Sequence, residues 1–434
     1  MQAEWYVILS RIQLAYYPPF NYLTVASKME EYFMYRSSGA VKYLIAGAFA
    51  MLFLGAFMLW SIFAAYVKTS FMCSDTDVTN MYTFFLSFFC LGALLCGKLR
   101  GGEHPRKALL ACAALVGGGY MLCSITENLK LFFIGYSILN GIGVGFAYNA
   151  ILAAVVPWFP GRSGFATGVL FMGYGLCGTI FSMPVSNLLK IVTWRDMFLI
   201  LSFCSAVVLV LVSCILRPVA ATQEKTAADN GADSIPPAQM IRSSSFILYF
   251  IWVVLLLAGG MVLNGTAALC AAEAGLSLTL AAASTSVLSF SGAISRIIIG
   301  EFYDHKGYRL SMAVVQVLYL TGCIMLLGGL HVNPTLLFLA YPMIGFSYGS
   351  LPTISSPFVL TFYGKKYYAQ NFSVLGLYTF FSSMCGPFLF SIALSKFDGS
   401  FSRALLLLPL LGIVACMTVM IFFLTRQKPS VNYK

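Results

Sequence analysis

Apolar residues gather in twelve long stretches, separated by shorter segments that hold nearly all the charged positions. Stretches of about 20 apolar residues are long enough to cross a bilayer as helices, and in lipid a helix satisfies every backbone donor and acceptor internally. The pattern predicts spans at 43–67, 79–97, 108–126, 131–156, 163–189, 197–216, 246–272, 277–300, 310–330, 332–360, 367–395 and 404–425. The predicted class is therefore an all-α, polytopic membrane protein with twelve transmembrane helices. The long polar stretch RPVAATQEKTAADNGADSIPPAQMIRS, residues 217–243, has too little apolar surface to fold alone and divides the spans six and six. The expected organisation is an N-terminal cytoplasmic or interfacial segment (1–42), a first six-helix bundle (43–216), a cytoplasmic linker (217–243), a second bundle (244–425) and a cytoplasmic tail (426–434).

Composition narrows the function classes. Hydrophobic residues make up 59% of the chain and charged residues 9%, against about 25% charged in soluble domains. If both termini are cytoplasmic, the segments on that side hold 19 of the 26 Lys and Arg, the outer loops hold 6, and Arg296 is the last. The opposite orientation violates the positive-inside rule, so the net charge of +11 reads as topology, with the lipid bilayer as the partner. These charges are scattered over loops, which argues against nucleic acid. Eleven of the twelve cysteines sit in or at the edge of spans, no CxxC pair occurs, and His104, His305 and His331 all fall in loops. No metal or cofactor is expected. The spans contain no His, Asp or Glu, so an enzyme, which would need a nucleophile with a base or a carboxylate pair, is not expected either. The string Gly141, Gly143, Gly145 lacks the βαβ context of a dinucleotide site and reads as close helix packing. Pro157, Pro160, Gly161, Arg162 and Gly164 predict a sharp turn after it.

A repeat links the two halves. Gly300, Asp304, Gly307 and Arg309 spell G-x-x-x-D-x-x-G-x-R after the eighth span, and Gly97 and Arg106 stand 203 residues earlier, with Gly101 and His104 in place of the acid and second glycine. This pattern resembles the signature loop of the major facilitator superfamily, and the resemblance covers about residues 40–425. It implies the major facilitator fold, two six-helix bundles with the substrate path between them. The loop is expected to act as a conformational latch. Its glycines permit a tight turn, and Asp304 can accept bonds from a neighbouring helix N-terminus and from Arg309.

A narrower resemblance lies in GIGVGFAYNAILAAVVPWFPGRSGFATGVLFMGYGLCGTIF (141–181), LGAFMLWSIF (54–63) and AISRIIIG (293–300). These segments look like the oxalate/formate-antiporter branch, which borders the monocarboxylate transporters. Such families carry small carboxylates and use an arginine of the eighth helix as anion anchor, and Arg296 matches it by position.

Arg296 also stands out without the family. It is the only charged side chain lying well inside a span, where a charge costs about 2.5–3.5 kcal/mol on insertion scales. Thr285, Ser289, Gly292 and Arg296 fall on one helix face, a polar stripe ending in a guanidinium that can meet a carboxylate bidentately. The bland reading is a long side chain, about one turn from the span's end, snorkelling to the headgroups. Expected substrate-binding residues are Arg296, Ser289, Tyr148, Tyr378 and Asn149, with Asn140, Tyr174, Asn264, Tyr348, Asn371 and Ser382 weaker candidates.

Two departures from the relatives shape the substrate expectation. Oxalate carriers have a second basic residue in the eleventh helix, but no Lys or Arg occurs between Lys366 and Lys396. One intramembrane charge favours a small monocarboxylate such as lactate or formate over oxalate. Proton-coupled monocarboxylate carriers often place an acid four residues before the arginine; here that position is Gly292. The expected mechanism is alternating access by a monomer in the plasma membrane. An unpaired guanidinium would resist occlusion in the empty carrier, so exchange is expected to outrun net flux. Alternatives are a neutral-solute carrier, an oxalate/formate exchanger and a nontransporting anion sensor. Residues 1–36 lack the features of a signal peptide, and translation starting at Met34 is an alternative beginning.

Overall fold

Residues 40–217, 234–397 and 400–425 are described by a computed structural model, and they are helical throughout their length apart from short turns and loops. The expectations for the amino-terminal segment with its Met34 start, for most of the linker and for the tail fall on residues 1–39, 218–233 and 426–434, outside the described residues. The helices are α1 (Ala40–Phe71), α2 (Asp75–Lys98), α3 (Pro105–Ile125), α4 (Leu129–Trp158), α5 (Ser163–Leu188), α6 (Trp194–Ile215) and α7 (Ser244–Glu273). A continuous element Leu278–His331 follows, then α10 (Leu337–Tyr363), α11 (Tyr368–Lys396) and α12 (Phe401–Leu424).

The element Leu278–His331 holds two expected spans. At 54 residues it would be about 80 Å long as one straight helix, far beyond a hydrocarbon core of about 30 Å. It breaks at Gly307, whose φ of 77° is left-handed and favours glycine. The parts are α8 (278–306) and α9 (308–331). Ten helices among the described residues are long and apolar enough to cross a membrane, one of them carrying both α8 and α9. The remaining expected span is α10, diluted by Ser, Thr, Tyr and three prolines yet lined with fully buried side chains.

Local chemistry explains the helix ends. Ser74 with Asp77 and Thr193 with Asp196 form reciprocal capping boxes at the starts of α2 and α6, while Ser243 accepts from the Phe246 N–H at the start of α7. Irregular turns occur where helices meet closely. The 3-10 stretch Gly55–Leu59 of α1 packs on α5, where a Cβ at Gly55 would overlap the Tyr174 carbonyl. In α4 a π-helical stretch, Ile134–Asn140, lets the Asn140 amide donate to the Gly135 carbonyl at 3.0 Å.

Each half has an aromatic core. Trp60, Phe85, Phe132, Tyr136 and Phe198 cluster in the first half, and Tyr249, Trp252, Phe358, Phe362 and Phe422 in the second. A polar strut crosses the second core: Trp252 Nε1 donates to Gln316 Oε1 at 2.9 Å, and Gln316 Nε2 donates to the Gly412 carbonyl at 3.0 Å. Between the halves, α5 packs on α8 and α10, and α11 packs on α2 and α4. These contacts concentrate towards the end of the bundle where residues 234–243 and both repeat loops lie, hereafter the linker face.

Candidate functional site

Two glycine-lined crossings bring the halves together at the linker face. Along α5, Gly164 and Gly168 meet the backbone of α8 so closely that a Cβ on either would overlap the carbonyls of Gly300 and Arg296, and a Cβ on Gly300 would overlap the Gly164 carbonyl. On the other side, Gly97 of α2 lies against Ser373 and Ala369 of α11. Glycines permit such backbone approach because no side chain stands between the helices.

Polar groups reinforce the closure. Asp304 accepts from the Gly164 and Phe165 N–H groups at 2.8 and 2.7 Å, across the interface, where the N-terminus of α5 presents unpaired donors. Burial pushes the Asp304 carboxyl up from its ordinary value to about 6, while these two N–H bonds pull the other way. Arg162 of α5 donates to both oxygens of Glu301 at 2.9 and 3.1 Å, and Thr167 donates to Ser356 at 2.8 Å. Arg309, expected to bond to Asp304, instead donates to Tyr308 Oη at 3.1 Å and lies exposed. It follows the break at Gly307, which starts α9 in a new direction. Gly300 makes no turn; it sits inside α8 at the close approach to Gly164.

Arg296 lies just above this closure, half-buried between α5 and α10. Its Nε donates to the Gly349 carbonyl of α10 at 3.4 Å, and one terminal nitrogen donates to the Phe171 carbonyl of α5. Gly175, one turn along α5, leaves the space the guanidinium occupies, since a Cβ there would overlap it. The phenols of Tyr348, Tyr148, Tyr174 and Tyr378 lie within electrostatic reach. Tyr148 stacks on Phe171 and meets Tyr174 edge-on, with ring centres 5.4 and 5.5 Å apart. The structure therefore gathers two strong tyrosine candidates and two weaker ones around one guanidinium.

The other expected ligands are placed differently. Ser289, two turns from Arg296 along α8, is exposed, while Gly292 between them is buried against Gly345 and Gly349. Asn149 is buried, and its amide bridges the halves by donating to the carbonyls of Ala93 (3.0 Å) and Ala369 (3.2 Å). Beside it lies a cavity of about 20 Å³ lined in part by Tyr148, Tyr378 and Cys90, room for about one water. Asn140 turns into the first half towards Gly135, and the amide of Asn371 donates to the Ile235 carbonyl. Gly175 and the Phe171 carbonyl had no chemical signature in sequence. The spacing of Gly164, Gly168 and Gly175 marks one helix face, but not its partner.

Comparisons with known proteins agree with this architecture. The sequence profile of the Major Facilitator Superfamily matches residues 45–387. The chain is 22% identical over 333 residues to the uncharacterized MFS-type transporter YhjX of Escherichia coli, covering 76% of this chain and 83% of that protein. It is 24% identical over 329 residues to the oxalate:formate antiporter of Oxalobacter formigenes, covering 72% and 75%. Over a shorter stretch of 149 residues it is 27% identical to monocarboxylate transporter 9 of Mus musculus, covering 33% and 29%. In fold it is similar to the proton:xylose symporter XylE, with a TM-score of 0.67 and 16% identity over 89% of this chain and 96% of the symporter. The transporter FucP in its outward conformation aligns with a TM-score of 0.60 and 15% identity over 87% and 98%.

Proposed function

The chain belongs to the Major Facilitator Superfamily, and on that premise we propose that this membrane transporter carries small organic anions, monocarboxylates of the lactate or formate kind, by alternating access. One observation carries the reading: an intramembrane guanidinium between the halves, within electrostatic reach of four tyrosines, whose hydrogen-bond partners among the described residues are neutral carbonyls. Guanidinium stays protonated in a desolvated site and offers paired donors, so a carboxylate is its natural counter-ion. Tyr148, Tyr174, Tyr348 and Tyr378 supply further donors, and Ser289 marks the approach from the side away from the linker face. Asn149 acts as a strap between the halves instead of a ligand.

The positive-inside distribution supports both termini and the linker face being cytoplasmic; the reading places the protein in the plasma membrane and takes residues 43–216 and 244–425 as the two moving halves. On this reading the conformation described is closed to the cytoplasm. Gly300, Asp304 and Gly307 form the latch, while Arg309 stabilises its own turn. The test is uptake of labelled lactate, formate and oxalate into proteoliposomes by wild type and Arg296→Gln. Loss of uptake in Arg296→Gln with lactate or formate preferred is expected; transport equal to wild type ends the anchor assignment, and an oxalate preference ends the monoanion assignment.

A further inference from the structure

The bonds of Arg296 bear on how the empty carrier behaves. A bare guanidinium in a closing, water-poor site resists occlusion, which alone predicts a carrier that only exchanges. The structure removes that premise. In the conformation closed at the linker face, the guanidinium donates to the Phe171 carbonyl in one half and the Gly349 carbonyl in the other. A backbone carbonyl has two lone pairs, so each can take this bond without giving up a helical one.

We propose that the empty carrier passes through its occluded state with Arg296 held by these two carbonyls, so that the protein sustains net flux as well as exchange, and that Gly175 is the positioning residue that makes this possible. This rests on the assignment of Arg296 as anion anchor. Gly175 is four residues after Phe171 on the same face of α5, and any Cβ there would overlap the guanidinium and displace it from the Phe171 carbonyl. Among the described residues no carboxylate is paired with Arg296, and the position one turn before it is Gly292, packed against α10.

Carbonyls are a suitable stand-in because they are weaker than the substrate. They take up donors on two of the guanidinium's nitrogens but leave its charge, so an arriving carboxylate wins the site by a charge-assisted pair. Loaded, the site is neutral for a monoanion; empty, it carries one positive charge. Return of the empty carrier is therefore the voltage-sensitive step, and an inside-negative potential holds it towards the inner side.

The test measures efflux of labelled lactate, with formate as a second probe, from proteoliposomes into medium with and without unlabelled anion. Wild type is expected to show net efflux within about tenfold of exchange, and Gly175→Ala to lower net efflux at least about tenfold more than it lowers exchange. Retained exchange shows that the variant is folded and binds its anion. Wild-type net efflux below about one hundredth of exchange overturns the proposal without any variant. So does an equal fall of both fluxes in Gly175→Ala. Arg296→Gln that matches wild type in both fluxes sinks the anchor assignment itself, a separate outcome.

Discussion

Acidification should favour the conformation closed at the linker face, through Asp304. This carboxyl stands beyond the apolar stretch of α8, near the break at Gly307. It faces the Gly164 and Phe165 N–H groups and Arg162 from α5, and Glu301 from its own helix. Closure raises its pKa to about 6 from an ordinary 3.8, with burial the main cause. The closed state therefore binds its proton more tightly than a released state with a hydrated carboxylate. The resulting stabilisation is complete below the released pKa and is lost as pH rises through 6. Between pH 7 and pH 5 the closed-to-open ratio should rise about tenfold, worth about 1.4 kcal/mol, and most of that change comes below pH 6. Spin labels at Glu103→Cys and Lys366→Cys, both exposed on linker-face loops, would report it by pulsed distance measurement, with Cys73, Cys204, Cys214, Cys385 and Cys416 replaced by Ser. The short-distance population should grow at pH 5 in wild type and stay constant in Asp304→Asn, which keeps the shape but cannot titrate. An identical pH response in both proteins, or a wild-type shift towards longer distances at pH 5, refutes the reasoning.

Other substitutions separate strong contacts from weak ones. Gly300→Val puts a branched side chain against the Gly164 carbonyl, so the same label pair should report an open linker face at every pH; an unchanged distance would mean the crossing is not the closure. Arg162→Ala removes a largely exposed ion pair with Glu301, worth less than about 1 kcal/mol, so uptake should change by less than about fivefold and depend little on salt. A hundredfold loss would show that this pair does more than its exposure allows. Gln316→Ala strands the Trp252 indole N–H and opens a cavity between α7, α9 and α12. Its cost of about 2–4 kcal/mol should appear as a melting temperature several degrees lower in detergent.

The hydrophobic pattern of the chain determined its class, because lipid acts on each helix separately and needs only length and apolarity. The expected spans therefore match helices from α1 to α12, including α8 and α9, whose separation Gly307 announces through its left-handed backbone. Arg296 was legible for the same reason: a charge inside an apolar stretch is anomalous wherever the helix packs. Tyr148 and Tyr378 were readable as polar side chains in spans, but so was Asn149, and nothing local distinguishes a ligand from a strap between halves. Only the tertiary structure decided that Asn149 ties α4 to α2 and α11, that Arg309 turns away from Asp304, and that Arg296 meets Phe171 and Gly349. These depend on which backbone carbonyls approach which donor. That approach is set by glycines, such as Gly164, Gly175 and Gly300, whose contribution is the space left by a missing side chain. Empty space has no chemical signature until two helices are seen to share it.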